Sequence, residues 1–394
     1  MADRLSSRER MLATINHQEP EHIPLWFNWY YGDTQLIQWD GIDVVDRAER
    51  VIAFGLDDTM RLDVPYSVHP EASSKAWVEH PAESRYPLIC KEWYTPKGTM
   101  RQVVRRTDDW NAPEFKYHYE NDLPLAASFV QPRTVEWPVK DVEDIEKMEY
   151  FYQPPTKDQL AEFRETVRRA KELDRRCGVL LEGGWIPLAD FVLDLLGFST
   201  VVTAQADRPE FLDALLASVA RREWANVEIL LDAGVDIITH QGWYEIPDFW
   251  GVQGFRRFLE PHIKREIDLV HSAGAKFSYI MTSGIGPRLD DLLDLGIDIL
   301  WGVDPVQDIT ANLPGFKRKA GDRICLLGGV NAQVTLVLGS EDDIRREVRY
   351  ARDTLAPGGG FIMAPIDNIY PFTPRQNLEI LIDEWKRVRD YPLR

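Results

Sequence analysis

The chain has 394 residues, 44% hydrophobic and 28% charged, with a formal net charge of −18; this is the composition of a folded globular protein. That acidity, without basic clusters, excludes a nucleic-acid binder, which needs cations to displace counterions from phosphate. No apolar run approaches the roughly 18–20 residues that span a bilayer, and three separated cysteines with no CxxC pair spell neither a disulfide framework nor a cysteine-based zinc site.

The N-terminus, MADRLSSRER, carries no apolar signal segment, so a cytoplasmic protein is expected. Ser6-Ser7-Arg8-Glu9 reads as a capping box that opens a short helix to about Asn16. The apolar stretch HIPLWFN (22–28) reads as a first strand, residues 44–54 as a helix and LDDTMRLD (56–63) as a second strand. Residues 64–150 differ: they are rich in Pro, Trp, Tyr and charge, and Lys97-Gly98 between two period-2 pieces predicts a hairpin. They read as an insertion packed on the main domain.

From 157 onward helices and apolar strands alternate. Strands three to eight are GVLLEG (178–183), VDIITH (235–240), KFSYIM (276–281), IDILWG (297–302), RICLLGG (323–329) and FIMAP (361–365). In the helix FRRFLEPHIKREIDLVHSAG, apolar residues recur at spacings of three and four until Gly274 stops it. Eight apolar strands separated by helices predict one α/β domain, a (β/α)₈ TIM barrel over 1–394 with an insertion after strand two. An open doubly wound sheet is the alternative, but no GxGxxG follows the first strand.

In such a barrel the loops after the strands gather at one rim, where the active site lies. The rule nominates Asn28 and Trp29 after strand one, Arg61 and Asp63 at strand two, and Glu182 and Trp185 at strand three. His240, Gln241 and Trp243 follow strand four; Tyr279, Met281, Thr282 and Ser283 end strand five; Trp301 and Asp304 end strand six. Asn331 follows strand seven, and Asp367 with Asn368 follows strand eight. Each has a plainer reading. Glu182 needs a partner if buried, and Arg61 is the candidate. Asp304 before Pro305 often only shapes a turn. Gly328-Gly329 after strand seven offers backbone N–H groups to an anion, a weak signal, and Gly358–Gly360 lies at the opposite end of the barrel. Several of the 13 tryptophans fall at strand ends and as a group favour a planar ligand.

AGAKFSYIMTSG, GIDILWGVDPVQ, ICLLGGVNA, LAPGGGFIMAPIDNI, YTPKGTMRQV and WPVKDVEDIEKMEY together resemble the uroporphyrinogen decarboxylase superfamily over nearly the whole chain. The resemblance implies a (β/α)₈ barrel, often a homodimer, with its cleft at the strand C-termini. The superfamily holds porphyrinogen decarboxylases and cobamide-dependent methyltransferases. Decarboxylases resemble one another in an N-terminal arginine-rich segment that grips substrate carboxylates; here IPLWFNWYYGD contains no arginine. Thiol-methylating members carry His-x-Cys after strand five and a later Cys after strand eight; here Tyr279-Ile280-Met281 and Ile366 or Asp367 stand there, which removes the thiolate zinc site. A divalent metal such as zinc, if held, would draw on His240, Glu182, Asp304 or Asp367.

The expectation is a corrinoid-dependent methyltransferase of O-demethylase type. It would act on a small methylated compound, aromatic or other, and exchange methyl with a corrinoid protein. His240 or Tyr279 would be the proton donor, and His240, Tyr279, Glu182 and Asp367 are the catalytic candidates. The alternative is a decarboxylase of uroporphyrinogen or a smaller aromatic acid, with Asp63 or Asp367 stabilising a protonated ring and Arg61 holding a carboxylate. A non-catalytic ligand-binding barrel is the third reading.

Overall fold

The computed structural model describes residues 4–29, 36, 42–110, 123–126 and 128–393. In chain order its strands are β1 (Thr59–Leu62), β2 (Ser73–Glu79), β3 (Leu88–Thr95), β4 (Gly98–Arg105), β5 (Thr134–Glu136), β6 (Leu180–Pro187), β7 (Ile237–Gln241), β8 (Lys276–Ile280), β9 (Ile299–Val303), β10 (Cys325–Asn331) and β11 (Phe361–Ile366). Seven of them form one parallel sheet in the order β1-β6-β7-β8-β9-β10-β11. Sequence order equals spatial order because helices return the chain between successive strands.

The expected first strand is not a ladder strand. Pro24 has no N–H to give, and the segment makes only isolated bridges: antiparallel for His22 with Asp390, and parallel for Leu25 with Met363 of β11 and Trp26 with Asp57 just before β1. Trp26 N–H donates to the Met363 carbonyl and Asp57 N–H to the Leu25 carbonyl, each at 3.0 Å. Residues 24–26 therefore stand between the first and last strands of the sheet. In place of the expected eight-stranded closed barrel, the structure has a curled, open seven-stranded parallel sheet, with a bridged segment in the eighth position.

Two apolar layers follow from strand alternation. Trp26, Leu180, Ile237, Ile280, Ile299, Trp301, Leu327, Ile362 and Ala364 meet in one cluster, which side chains from so many strands reach only on the concave face. Met11 and Ile15 of helix Ser7–Ile15 join it, and that helix starts on the capping box of Ser6 and Glu9. The alternate residues, among them Ile238, Phe277, Leu300 and Met363, pack outward against the helices. In helix Glu341–Leu355, for example, Ile344, Val348, Ala351 and Leu355 are the buried residues, at spacings of four, three and four.

Between β1 and the later parallel strands lies a four-stranded antiparallel sheet, β2-β3-β4-β5. Its β3–β4 hairpin pairs Thr95 with Gly98, the latter at φ +127°. The long helix expected from Phe255 begins instead as a π-helical turn, Phe255–Leu259, before the α-helix Glu260–Ser272. Pro261 in that α-helix's first turn offers no N–H, so the regular ladder cannot run through it. No single helix among the described residues is long and apolar enough to cross a membrane.

Candidate active site

The concave face carries polar groups from within the strands out to their C-terminal ends. Glu182 is buried there, and its carboxylate accepts from the hydroxyls of Thr59 at 2.6 Å and Thr239 at 2.5 Å. Two hydroxyl donors satisfy the buried carboxylate, so the expected partner, Arg61, is not the one observed. The indole N–H of Trp26 donates to Thr59 Oγ1 at 3.2 Å and ties the bridged segment to this floor.

Four tryptophans surround the floor edge to face. Ring centroids lie 5.0 Å apart for Trp26–Trp301, 5.1 Å for Trp185–Trp243, 5.4 Å for Trp185–Trp301 and 6.2 Å for Trp243–Trp301. Trp185 reaches the cluster because β6 shifts register between Gly183 and Trp185. Gly184 permits the shift: a Cβ there would stand 2.1 Å from Asp63 Oδ1. Arg61 lies over the face of Trp185, its guanidinium carbon 4.6 Å from the ring centroid, and its Nε is 3.1 Å from Asp63.

The rim continues with Asn28, whose side-chain amide donates to Asn368 Oδ1 and to the Asp367 carbonyl. Gln241 donates to Asp190 at 3.2 Å. Asn331 donates to Asp304 Oδ2 at 2.7 Å, while Asp304 Oδ1 accepts the backbone N–H groups of Val306 and Gln307. Asp304 thus has the turn-shaping role that its place before Pro305 allowed. Burial holds its carboxyl above the usual range against those hydrogen bonds. Burial also pushes Asp367 up to about 7; the Trp243 N–H opposes this without a well-aligned bond at either atom, and the Asp304 charge adds to it.

His240 and Tyr279, expected at the mouth, lie on the other face. Strand alternation sends Thr239 inward and His240 outward, into the layer between sheet and helices. His240 is fully buried, with Nδ1 3.0 Å from Glu266 and Nε2 3.2 Å from Glu245. Burial alone would lower its pKa, but the two carboxylates outweigh it and raise it well above the ordinary value. Tyr279 stacks on His240 at 5.4 Å and donates to Glu245 at 2.6 Å; burial and the Glu245 charge hold its hydroxyl protonated. An imidazolium with both nitrogens committed to carboxylates has no lone pair for a metal. Glu182 on the concave face and Asp304 on its backbone donors complete no set with it. Among the described residues no three His, Cys, Asp or Glu are grouped to hold a metal ion, so the donor set foreseen for zinc does not assemble.

Other nominations are also relocated. Trp29 and Met281 are buried in the outer core, on the alternation opposite to Asn28 and Ile280. Ser283 lies half-buried in the turn before helix Ile285–Leu295. Gly328 and Gly329 sit inside β10, paired with Met363 and Ala364, and not beyond it. A Cβ at Gly328 would stand 2.3 Å from the Val303 carbonyl oxygen, so close strand packing, not an anion loop, explains that glycine. The Arg-free stretch runs past Trp29 to residues outside those described. Trp26, Thr59, Thr239 and Glu266 are additions from the structure. Glu266 had a signal: it is an acidic residue beside Ile263, Ile267 and Val270 on the buried stripe of its helix.

A curled parallel sheet with a polar, tryptophan-lined concave face at its strand C-termini is the architecture of barrel-type enzymes. The family model described as uroporphyrinogen decarboxylase (URO-D) matches residues 129–388, well over half of the chain. This protein belongs to the uroporphyrinogen decarboxylase family. Its relatives include a methylcobamide:CoM methyltransferase, MtaA, of Methanosarcina barkeri (strain Fusaro / DSM 804), 25% identical over 191 residues, or 48% of this chain and 52% of that protein. The chain thus spans about half the length of that relative. A uroporphyrinogen decarboxylase of Cupriavidus pinatubonensis is 28% identical over 280 residues, covering 66% and 70%. A solved methyltransferase from Methanosarcina mazei superposes with a TM-score of 0.59 at 16% identity, covering 98% of this chain and 99% of that one, which shows a shared fold. The named relatives are enzymes of both kinds, methyltransferases and decarboxylases.

Proposed function

We propose that this chain is a corrinoid-dependent methyltransferase on a barrel that residues 24–26 close, moving methyl between a small methylated compound and a corrinoid carried by a partner protein. The observation that carries this reading is the composition of the concave site. Four tryptophans form it, and among the described side chains named there Arg61 is the one cation, already set between Asp63 and the face of Trp185. A polycarboxylate porphyrinogen needs several guanidinium partners, which these side chains do not supply. The methyltransferase relatives support the same choice. When docked, the partner's corrinoid supplies the methyl acceptor or donor.

The chain's own residues bind and orient. The tryptophans present apolar faces and exclude water, and Glu182 and its two threonines fix the floor. Glu245, held by His240 and Tyr279 and accepting the Ala189 N–H at 3.3 Å, braces the loop after β7 that carries Trp243. His240 and Tyr279 are therefore positioning residues. Asp367, with its raised pKa, is the carboxyl placed to give a proton to a departing oxygen. The test incubates the purified protein with reduced cobalamin and methylated compounds such as anisole, and follows methyl transfer by absorbance. No transfer from any methylated compound, with carbon dioxide released from uroporphyrinogen, rejects the reading.

One observation favours the decarboxylase alternative: the Arg61–Asp63 pair at the mouth offers one guanidinium to a carboxylate and one carboxylate to a protonated ring. Release of carbon dioxide from a small aromatic acid without cobamide, lost in Arg61→Gln, would establish it.

A further inference from the structure

We infer that the methyl donor bound on this concave face is a quaternary ammonium compound carrying an oxygen acceptor, of the choline or betaine class. This rests on the methyl-transfer reading and names its substrate. Three independent features of the site carry it. The first is the aromatic floor: indole faces attract a cation through their quadrupoles, tryptophan most strongly, and clustered aromatic rings select tetraalkylammonium heads that ordinary ion pairing cannot grip. This structure already shows one of these rings taking a cation, since the Arg61 guanidinium sits 4.6 Å above Trp185.

The second is the sign of the charge around the floor. Glu182 accepts from Thr59 and Thr239 in the floor and Asp63 lies at the edge, while Asp367, held up to about 7 by burial, adds its charge only above that pH. Opposite them stands Arg61, which Asp63 already pairs. A neutral aryl ether gains nothing from this field, whereas a fixed cation does. The third is an unpaired donor. The indole N–H of Trp301, only 2% exposed, has no acceptor among the described residues, while that of Trp243 turns toward the Asp367 carboxyl. A buried N–H left unpaired is costly, and an oxygen on the ligand's tail would pair it.

The chemistry agrees. When a quaternary ammonium gives up methyl, the carbon–nitrogen bond breaks with its electron pair left on nitrogen. The tertiary amine departs uncharged and needs no proton. The new bond to the methyl carbon is made with the electron pair of the metal in the partner's fully reduced corrinoid, the co-reactant, which is thereby formally oxidised by two electrons. An aryl ether would leave as an aryloxide that needs an acid; Tyr279 and His240, foreseen for that task, point into the outer layer, so that route would depend on Asp367, whereas a departing amine needs no acid.

The test titrates choline into the full chain, followed by tryptophan fluorescence and calorimetry, beside 3,3-dimethylbutan-1-ol, which has the same shape without the charge. Choline should bind at least about tenfold more tightly. Trp243→Leu and Trp185→Leu should each weaken choline by about tenfold, while Trp243→Phe, which keeps a ring face, should retain most of the affinity. Near-UV circular dichroism and melting temperature establish that each variant is folded; if a leucine variant is not, the corresponding phenylalanine variant and the choline-to-alcohol ratio of the parent decide. Equal binding of the two probes, tighter binding of anisole than of choline, or no binding of choline overturns the inference. Methyl transfer is then measured from choline and from anisole to reduced cobalamin. Transfer from anisole without choline binding rejects the cationic donor and keeps the methyltransferase. Choline binding without any transfer keeps the cation site and rejects both its role as methyl donor and the methyl-transfer reading.

Discussion

Neighbouring residues of one strand do opposite work in this protein. Thr239 faces the concave site and helps hold a lone carboxylate with a hydroxyl, whereas His240 faces the helices and neutralises two carboxylates with a charge. On the concave side hydroxyls hold Glu182 among aromatic rings; the convex side ties His240, Tyr279, Glu245 and Glu266 into one charged network, with one oxygen of Glu266 left over. A site that must accept a ligand leaves donors and faces unspent. In the layer that holds helices to the sheet, opposite charges must meet, because a buried charge without a counter-charge costs stability with nothing to offset it.

The largest effect should come from breaking the closed side. His240→Ala strands Glu245 and Glu266 as buried carboxylates without a counter-charge, at a cost of roughly 3–5 kcal/mol in denaturant unfolding. A loss below about 1 kcal/mol would show that the network relaxes or takes up protons freely. On the concave side, Thr239→Val keeps the shape but removes one of the two donors to Glu182. It should cost roughly 1–3 kcal/mol, and the defect should shrink when combined with Glu182→Leu, which removes the carboxylate that needs the donor.

Asp367 sharpens the comparison through pH. Its folded value, about 7, lies above the ordinary 3.8, so between those limits the folded state binds more proton than the unfolded one. The stability it contributes is present in full below about 4 and declines as pH rises toward 7. In Asp367→Asn, melting temperature should fall less steeply than in the parent between pH 4 and about 7. Parallel curves would mean that Asp367 is ionised throughout this range. The smallest effect belongs to Arg61→Gln. Its pair with Asp63 is partly exposed, with side chains 31% and 56% accessible, so stability should change by no more than about 1 kcal/mol. A change in ligand affinity larger than this would assign the residue to the site and not to the scaffold.

The alternation of strand and helix from 157 to 388 was legible from periodicity alone, and most element boundaries fall within a few residues of those observed. The site was half legible. The rim rule found Glu182, Arg61, Trp185, Trp243, Trp301 and Asp367, but it treats every residue at a strand end alike. It could not weigh Pro24 against the apolar character of the first strand, nor see the register shift at Gly183 and Gly184 that turns Trp185 inward. Charge at a strand end looked functional in Asp304, which backbone N–H groups and Asn331 satisfy completely enough to shape a turn.

What the amino-acid order determined by itself is local: period-two and period-three-to-four apolar patterns, capping residues and glycine stops choose each element from its immediate neighbours. Which face of the curled sheet a polar side chain entered was decided only by the tertiary structure. One residue of register separates the two faces, and the partners that settle it, Glu266 for His240 or Thr59 for Glu182, lie 26 and 123 positions away along the chain. Contacts at such distances follow from strand pairing and from helices packing on the sheet, and not from any neighbouring pattern.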